Sequence, residues 1–181
     1  MSDELTAWRS ARTDSVDPAV LDAGTTGEME TWRSELTDPV DRMLAAAAAA
    51  PTLARIRRDR DRAGRLVKPL FEYLESHLFD PNLNADQLMR ACGVGRPSTA
   101  SKGFRETTSV SLTPYAYIED CRLEVASWLL LLRPDLTMDR IATFLGYSTG
   151  SVFGDAFERW SGIRPTVYRA GVDRSVGTGG T

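Results

Sequence analysis

From Leu66 to Arg169 the apolar residues recur every three or four positions and are punctuated by helix-ending residues, a rhythm that fits helices and no strand. Val67, Leu70, Phe71, Leu74 and Leu78 mark one face, and Asp80-Pro81-Asn82 ends that helix. Asn84 suits an N-cap, with Gln87 three residues on to close a capping box. Leu88, Met89 and Cys92 are predicted to face inward, and Gly93 suits a C-terminal turn. Pro97 fits the first turn of the next helix, which is predicted to run through Phe104. Thr113 and Pro114 open a long helix whose expected buried stripe is Ile118, Cys121, Arg122, Val125, Leu129 and Leu132. After Arg133-Pro134-Asp135, Thr137 caps a helix with Asp139 in its first turn and Ile141, Ala142 and Leu145 inside. Gly146 closes it. Val152, Phe153, Ala156, Phe157 and Trp160 form the following helix, which Gly162 ends, and Pro165 starts a last short one to Arg169.

The pattern short helix, glycine turn, short helix therefore occurs twice, on either side of one long apolar helix. The glycine lets the chain turn sharply, so that the second helix of each unit projects and can enter a major groove. The predicted fold is all-α: tandem helix-turn-helix subdomains joined by a long connector helix, with about seven helices in the body and a short helical, partly disordered N-terminal extension. The organisation read from the sequence is an acidic, Ala-rich extension over 1–62, a body over 63–170 and a disordered Gly-rich tail over 171–181. The body, residues 66–169, is expected to fold alone on its own stripes and caps.

Charge is divided unevenly along the chain. Residues 1–52 hold four Lys/Arg and ten Asp/Glu, a balance of -6, whereas residues 53–170 hold seventeen and fourteen, a balance of +3. That mildly basic body permits a nucleic-acid partner without requiring one. Met1–Glu4 is acidic and no apolar run follows, so no signal peptide is expected, and no run approaches a membrane span. A soluble, cytoplasmic protein with no membrane contact follows. Cys92 and Cys121 read as buried thiols in a reducing compartment. With His77 as the single histidine, expected to pack or cap, no metal site and no cofactor are predicted. Neither a phosphate loop nor a Ser-His arrangement is present, and the chain is not read as an enzyme.

The extension carries an imperfect repeat, Trp8-Arg9-Ser10-Ala11-Arg12-Thr13-Asp14-Ser15-Val16 against Trp32-Arg33-Ser34-Glu35-Leu36-Thr37-Asp38-Pro39-Val40, around a loop-like Gly24-Thr25-Thr26-Gly27. It is either two short helices packing on the body, or a duplicated peptide that docks a protein partner such as the transcription machinery through Trp8 and Trp32. Asp41–Ala50 favours helix, and Pro51 should stop or kink it. The run Arg55, Arg57, Arg58, Arg60, Arg62, Arg65 and Lys68 is a solvated helix face or a phosphate-contacting arm.

Ile141-Ala142-Thr143-Phe144-Leu145-Gly146-Tyr147-Ser148, Ser151-Val152-Phe153, Ala156-Phe157 and Gly162-Ile163-Arg164-Pro165-Thr166-Val167-Tyr168-Arg169 together resemble the signature of the AraC/XylS family of bacterial regulators. Tyr73–Leu78 is similar to that family's first helix, and Arg122-Leu123, Ala126 and Leu129-Leu130 to its connector. The resemblance spans roughly residues 66–169. It implies a DNA-binding transcription regulator whose two recognition helices enter successive major grooves on one face of double-stranded DNA. The sixty-odd polar residues ahead of the body are too few and too strand-poor for the sugar-binding barrel common in the family.

Several positions depart from the family pattern. Arg96 stands where Ser is usual, Ala100 and Lys102 where Leu and Arg are, and Ser109 where Gly is. About two extra residues fall in Thr107–Thr113. Asp155 and Glu158 replace common basic residues in the second recognition helix, where acids repel phosphates unless Asp155 accepts from a cytosine amino group. The DNA-binding candidates are Arg96, Ser98, Thr99, Ser101, Lys102 and Arg105 in the first unit and Thr149, Ser151, Asp155 and Arg159 in the second. Arg122 is expected to pair with an internal acid; Arg169 either caps a helix or contacts phosphate. The alternative function is a protein-interaction module on a helix-turn-helix scaffold with weak or lost DNA binding, which the acidic second helix and acidic extension favour.

Overall fold

Asn84, Thr113 and Thr137 cap helices as read from the sequence, and Thr149, read there only as a DNA-binding candidate, caps a fourth. In the computed structural model, which describes residues 39–108 and 111–176, Asn84, Thr113, Thr137 and Thr149 each accept a hydrogen bond from the backbone N–H three residues on. Gly93, Gly146 and Gly162 adopt left-handed backbone at φ 64°, 75° and 80° where their helices end. The described helices are α1 (Pro39–Arg62), α2 (Lys68–His77), α3 (Ala85–Ala91), α4 (Pro97–Thr107), α5 (Pro114–Leu132), α6 (Met138–Phe144), α7 (Gly150–Ser161) and α8 (Pro165–Val176). No strand occurs among the described residues, so the all-α, tandem helix-turn-helix expectation holds. The last helix continues past Arg169, where the sequence suggested it would end. The Trp8 and Trp32 segments lie outside the described residues.

Connector helix α5 is the axis of the fold. Tyr117, Ile118, Cys121, Arg122, Leu123, Val125, Ala126, Leu129 and Leu130 are all buried, more than one face of a helix can supply, because α5 packs on α1, α3 and α4 and also on α7 and α8. Leu132, expected inside, is exposed at the end of the helix. An aromatic cluster ties the first unit together: Phe71 of α2 stacks on Phe104 of α4 at 4.4 Å, and Tyr117 of α5 meets both edge-on at 5.8 and 5.3 Å. A second cluster, Tyr147, Phe153, Phe157, Trp160 and Tyr168, does the same for the second unit at centroid distances of 5.3 to 5.7 Å. Such edge-on and offset arrangements align ring quadrupoles favourably.

Helix α1 revises the reading of the N-terminal extension. It runs unbroken through Pro51, whose missing N–H removes one ladder bond, to Ala47, and does not stop the helix. Ala45, Ala48, Ala49, Leu53 and Ile56 are buried against α5 and α2. Helix α1 thus supplies one wall of the core that residues 66–169 were expected to build from their own stripes.

The basic run on α1 and after it is neither uniformly solvated nor uniformly free for phosphate. Arg55 bonds Asp120 at 2.6 Å and Glu124 at 3.0 Å on α5, and its guanidinium lies 5.2 Å from the Tyr117 ring. Burial works against the Arg55 charge, yet Cys121, Glu124 and Asp120 outweigh it and hold its pKa above the ordinary value. Arg57 and Arg60 fork onto Glu75 of α2, each at 2.6 Å. Buried Asp59 accepts from the Tyr117 hydroxyl at 2.8 Å. Arg58, Arg62, Arg65 and Lys68 are exposed and make no ion pair among the described residues.

Arg122 is buried but meets no acid, contrary to expectation. Its Nε donates to Leu78 O at 2.9 Å and its Nη2 to Asp80 O at 2.7 Å, both carbonyls at the end of α2. Burial, foremost, lowers its pKa, and the nearby Tyr147 and Asp80 oppose that shift. His77 packs as anticipated, stacked 3.7 Å over Tyr73 with Nδ1 2.9 Å from Tyr73 O. Of the two thiols, Cys121 is buried and Cys92 only partly; burial, foremost, pushes Cys121 up to about 12, despite Arg55 nearby.

Two stability outcomes follow. Ile56→Ala should cost about 2–5 kcal/mol in chemical denaturation, the range for a deleted core aliphatic; an unchanged midpoint would return α1 to the surface. Gly146→Ala should cost well over the roughly 1–2 kcal/mol of a left-handed alanine. The reason is that a Cβ there would come within 3.1 Å of Arg122 Cζ and of the Pro81 backbone. Gly93→Ala, which meets open space, should cost only the conformational part. Equal losses at the two glycines would contradict the packing described.

Candidate nucleic-acid interface

Each unit presents its second helix through the same turn. In the first, Gly93 N–H donates to Arg90 O and Val94 N–H to Met89 O; in the second, Gly146 N–H donates to Thr143 O and Tyr147 N–H to Ala142 O. These bonds satisfy carbonyls left over at the ends of α3 and α6 and set the angle at which α4 and α7 leave. Superposing the two turns on their glycines pairs Asn84 with Thr137, Phe104 with Phe157, Lys102 with Asp155 and Arg105 with Glu158. Cap and core are preserved between the units, and the charge at two surface positions is inverted.

Helix α4 buries Ala100 and Phe104 and turns its remaining face outward. Ser98, Thr99, Lys102 and Arg105 are exposed on it, and Arg96 is exposed at its N-cap without making a side-chain cap bond. Ser101 is half-buried and sits at the margin of this surface. Lys102 is 77% exposed and only 3.8 Å from Glu106, a loose i,i+4 pair that leaves the ammonium available. Five of the six first-unit candidates thus share one exposed surface.

Helix α7 buries Phe153, Gly154, Ala156 and Phe157 and exposes Ser151, Val152, Asp155 and Arg159. Thr149 is at the N-cap, where its hydroxyl accepts from Val152 N–H at 3.2 Å, so its side chain is committed to the helix start. Asp139 does more than favour the dipole of its own helix: it reaches across the turn and accepts from Gly150 N–H at 2.8 Å. A Cβ at Gly150 would stand 2.5 Å from that carboxylate oxygen, which fixes glycine there. The matching first-unit positions are Asp86 and Pro97, and proline has no N–H to donate. Arg159 leans toward Glu119 of α5 at 3.5 Å. Trp160 Nε1 donates to Asp120 at 2.7 Å and anchors the far end of α7 to the connector.

Asp155 and Glu158 are not bare acids. Arg164, from the turn before α8, bonds Asp155 Oδ1 through Nη1 at 3.0 Å and Glu158 Oε2 through Nε at 2.7 Å. The sequence reading missed Arg164. The signal was Gly162, whose left-handed turn folds the next residues back over the helix just ended. Exposed Val152, beside Ser151, was also passed over as a helix-forming residue. Arg169 donates through Nη1 to Pro134 O at 2.9 Å, in the loop after the connector. In that loop the hydrogen bond from Arg133 holds Asp135 down at about 2.

Among the described residues no cluster of three His, Cys, Asp or Glu side chains is placed to hold a metal, and no helix is long and apolar enough to cross a membrane. A helix-turn-helix domain family matches residues 97–171, from the first recognition helix through the second unit. The HTH-type transcriptional regulator MtrA of Neisseria gonorrhoeae is 28% identical over 108 residues, covering 60% of this chain and 33% of that protein. The chain thus spans about a third of the length of the curated relative it matches. Among solved structures, the C-terminal domain of AraT, a response regulator from Geobacillus stearothermophilus, superposes with a TM-score of 0.54 at 25% identity, over 60% of this chain and 87% of that one. These relatives are named as regulators, and the family match covers α4, the connector and the second unit. Residues 97–171 thus match a helix-turn-helix domain family, and the proteins this chain is similar to are regulators.

Proposed function

We propose that this chain regulates transcription in the cytoplasm by binding a specific sequence in double-stranded DNA, with α4 as the principal reader and α7 as the second. The observation that carries the reading is the outer face of α4, where Arg96, Ser98, Thr99, Lys102 and Arg105 stand exposed on a helix fixed from behind by Ala100 and Phe104. A rigid helix with long basic and short hydroxyl side chains on one side suits both guanine edges and phosphates. On α7, Ser151 and Val152 are open to base edges and a thymine methyl, and Asp155 is an acceptor for a cytosine amino group. Arg62 and Arg65 line one groove with Gly103 and Glu106 of α4 and would serve as backbone contacts: Val67 packs at Gly103, where a Cβ would lie 3.1 Å from its Cγ1, so the turn after α1 abuts that helix. We assign the Trp8 and Trp32 repeat to contact with a protein partner, on the duplication alone. The rival reading, a scaffold with weak or lost DNA affinity, drew its support from Asp155, Glu158 and the acidic extension, and the Arg164 fork offsets the two acids of α7.

The operator is first selected from genomic fragments bound by the purified protein. Lys102→Ala should then narrow the gap between selected and scrambled duplexes by about 1–3 kcal/mol at one fixed salt concentration. Asp155→Ala should leave affinity for the scrambled duplex equal or higher. Neutralising Arg62 and Arg65 should weaken binding to every sequence alike and flatten the salt dependence by about 0.9 in log–log slope for each phosphate no longer neutralised. Failure of the wild type to bind any duplex at low salt would overturn the DNA reading altogether.

A further inference from the structure

The second recognition helix poses an electrostatic problem. Where α4 carries Lys102 and Arg105, the equivalent positions of α7 carry Asp155 and Glu158. Two carboxylates one turn apart on a helix that enters a groove lined by phosphates oppose that entry.

Arg164 lies over this pair. It reaches one acid through Nη1 and the other through Nε, with its head across Gly154, where a Cβ would come to 3.9 Å from Nη1. The three side chains are 54, 55 and 42% exposed, so the contact adds little to folding stability. A surface pair of small stabilising value can still decide the local potential that an incoming polyanion meets.

We infer that Arg164 is the positioning residue of the second unit. It compensates Asp155 and Glu158 so that α7 can enter the groove, and it holds Asp155 by one oxygen while leaving the other to accept from a base amino group. The inference rests on the DNA-binding reading above. Arg164 acts through the acids and not by gripping a phosphate itself, which gives it a signature distinct from that of an ordinary basic contact.

The test is a mutant cycle, read by titrating a labelled scrambled-sequence duplex at low salt. The variants are Arg164→Met, Asp155→Asn with Glu158→Gln, and all three together. Arg164→Met alone should weaken binding about fivefold, on the order expected of one near-surface charge interaction. In the background lacking the acids, the same substitution should change affinity by less than about twofold, which is the non-additivity of coupled residues. The salt slope of Arg164→Met should match the wild type, since the same phosphates are neutralised in both. Its thermal midpoint should also match.

Equal losses in both backgrounds, with a slope shallower by about 0.9, would make Arg164 a plain phosphate contact and overturn the inference. So would an Arg164→Met protein that binds as tightly as wild type, or one whose midpoint falls enough to make the fork structural. If the wild type itself binds no duplex, the DNA reading falls, and the inference with it; if it binds and the cycle is additive, only the inference falls.

Discussion

The guanidinium of Arg122 sits where the two halves of the molecule meet. It leaves the buried connector, donates to Leu78 O and Asp80 O at the end of α2, and lies against the left-handed turn at Gly146 in the second unit. An unpartnered cation at that depth would be prohibitively costly. Two well-formed bonds to carbonyls at a helix C-terminus make it tolerable, and they can form only if α2 ends at the right place. The same group and the Pro81 backbone would crowd a Cβ at position 146, whose φ of 75° already favours glycine. The end of one unit and the turn of the other are thus referred to a single rigid ion, and the relative pose of the recognition helices inherits that constraint.

A second network extends the constraint to α1. Asp120 of the connector accepts from Arg55 of α1 on one oxygen and from Trp160 of α7 on the other. Tyr117, wedged into the aromatic cluster of the first unit, donates to Asp59 of α1. Helix α1 lies ahead of the segment matched by the family, yet it is bonded to the connector and, through it, to the end of the second recognition helix.

The sequence made plain whatever depends on neighbours within a few residues. Asn84, Thr113 and Thr137 announce helix starts because a cap bond spans three positions, and Gly93, Gly146 and Gly162 announce ends because few other residues tolerate positive φ. Interactions between distant segments were hidden. The partners of Arg55 lie 65 residues away or more, and nothing local separates it from exposed Arg58. Alanine favours a helix without saying which face is buried, so Ala45, Ala48 and Ala49 offered no stripe to read. Arg122 met carbonyls where an acid was expected, because backbone acceptors leave no mark in composition. For the interface, α4 and α7 and most of their exposed residues were legible from periodicity, whereas the fork from Arg164 depends on how far the chain folds back after Gly162.

The two recognition helices are held by different means at their first residues. Helix α7 is pinned by the Gly150 N–H that donates to Asp139 and moored at its far end by Trp160, whereas α4 begins at a proline that has no N–H to donate. A helix fixed at both ends has already surrendered its freedom when the protein folds, so docking it costs little further entropy but leaves it little power to adjust. Helix α4 is held through Ala100 and Phe104, and its leading turn, which carries Arg96, Ser98 and Thr99, has no bond like the one at Gly150. If both helices read DNA as proposed, the chain joins a preset probe to one whose leading turn is less tightly bonded.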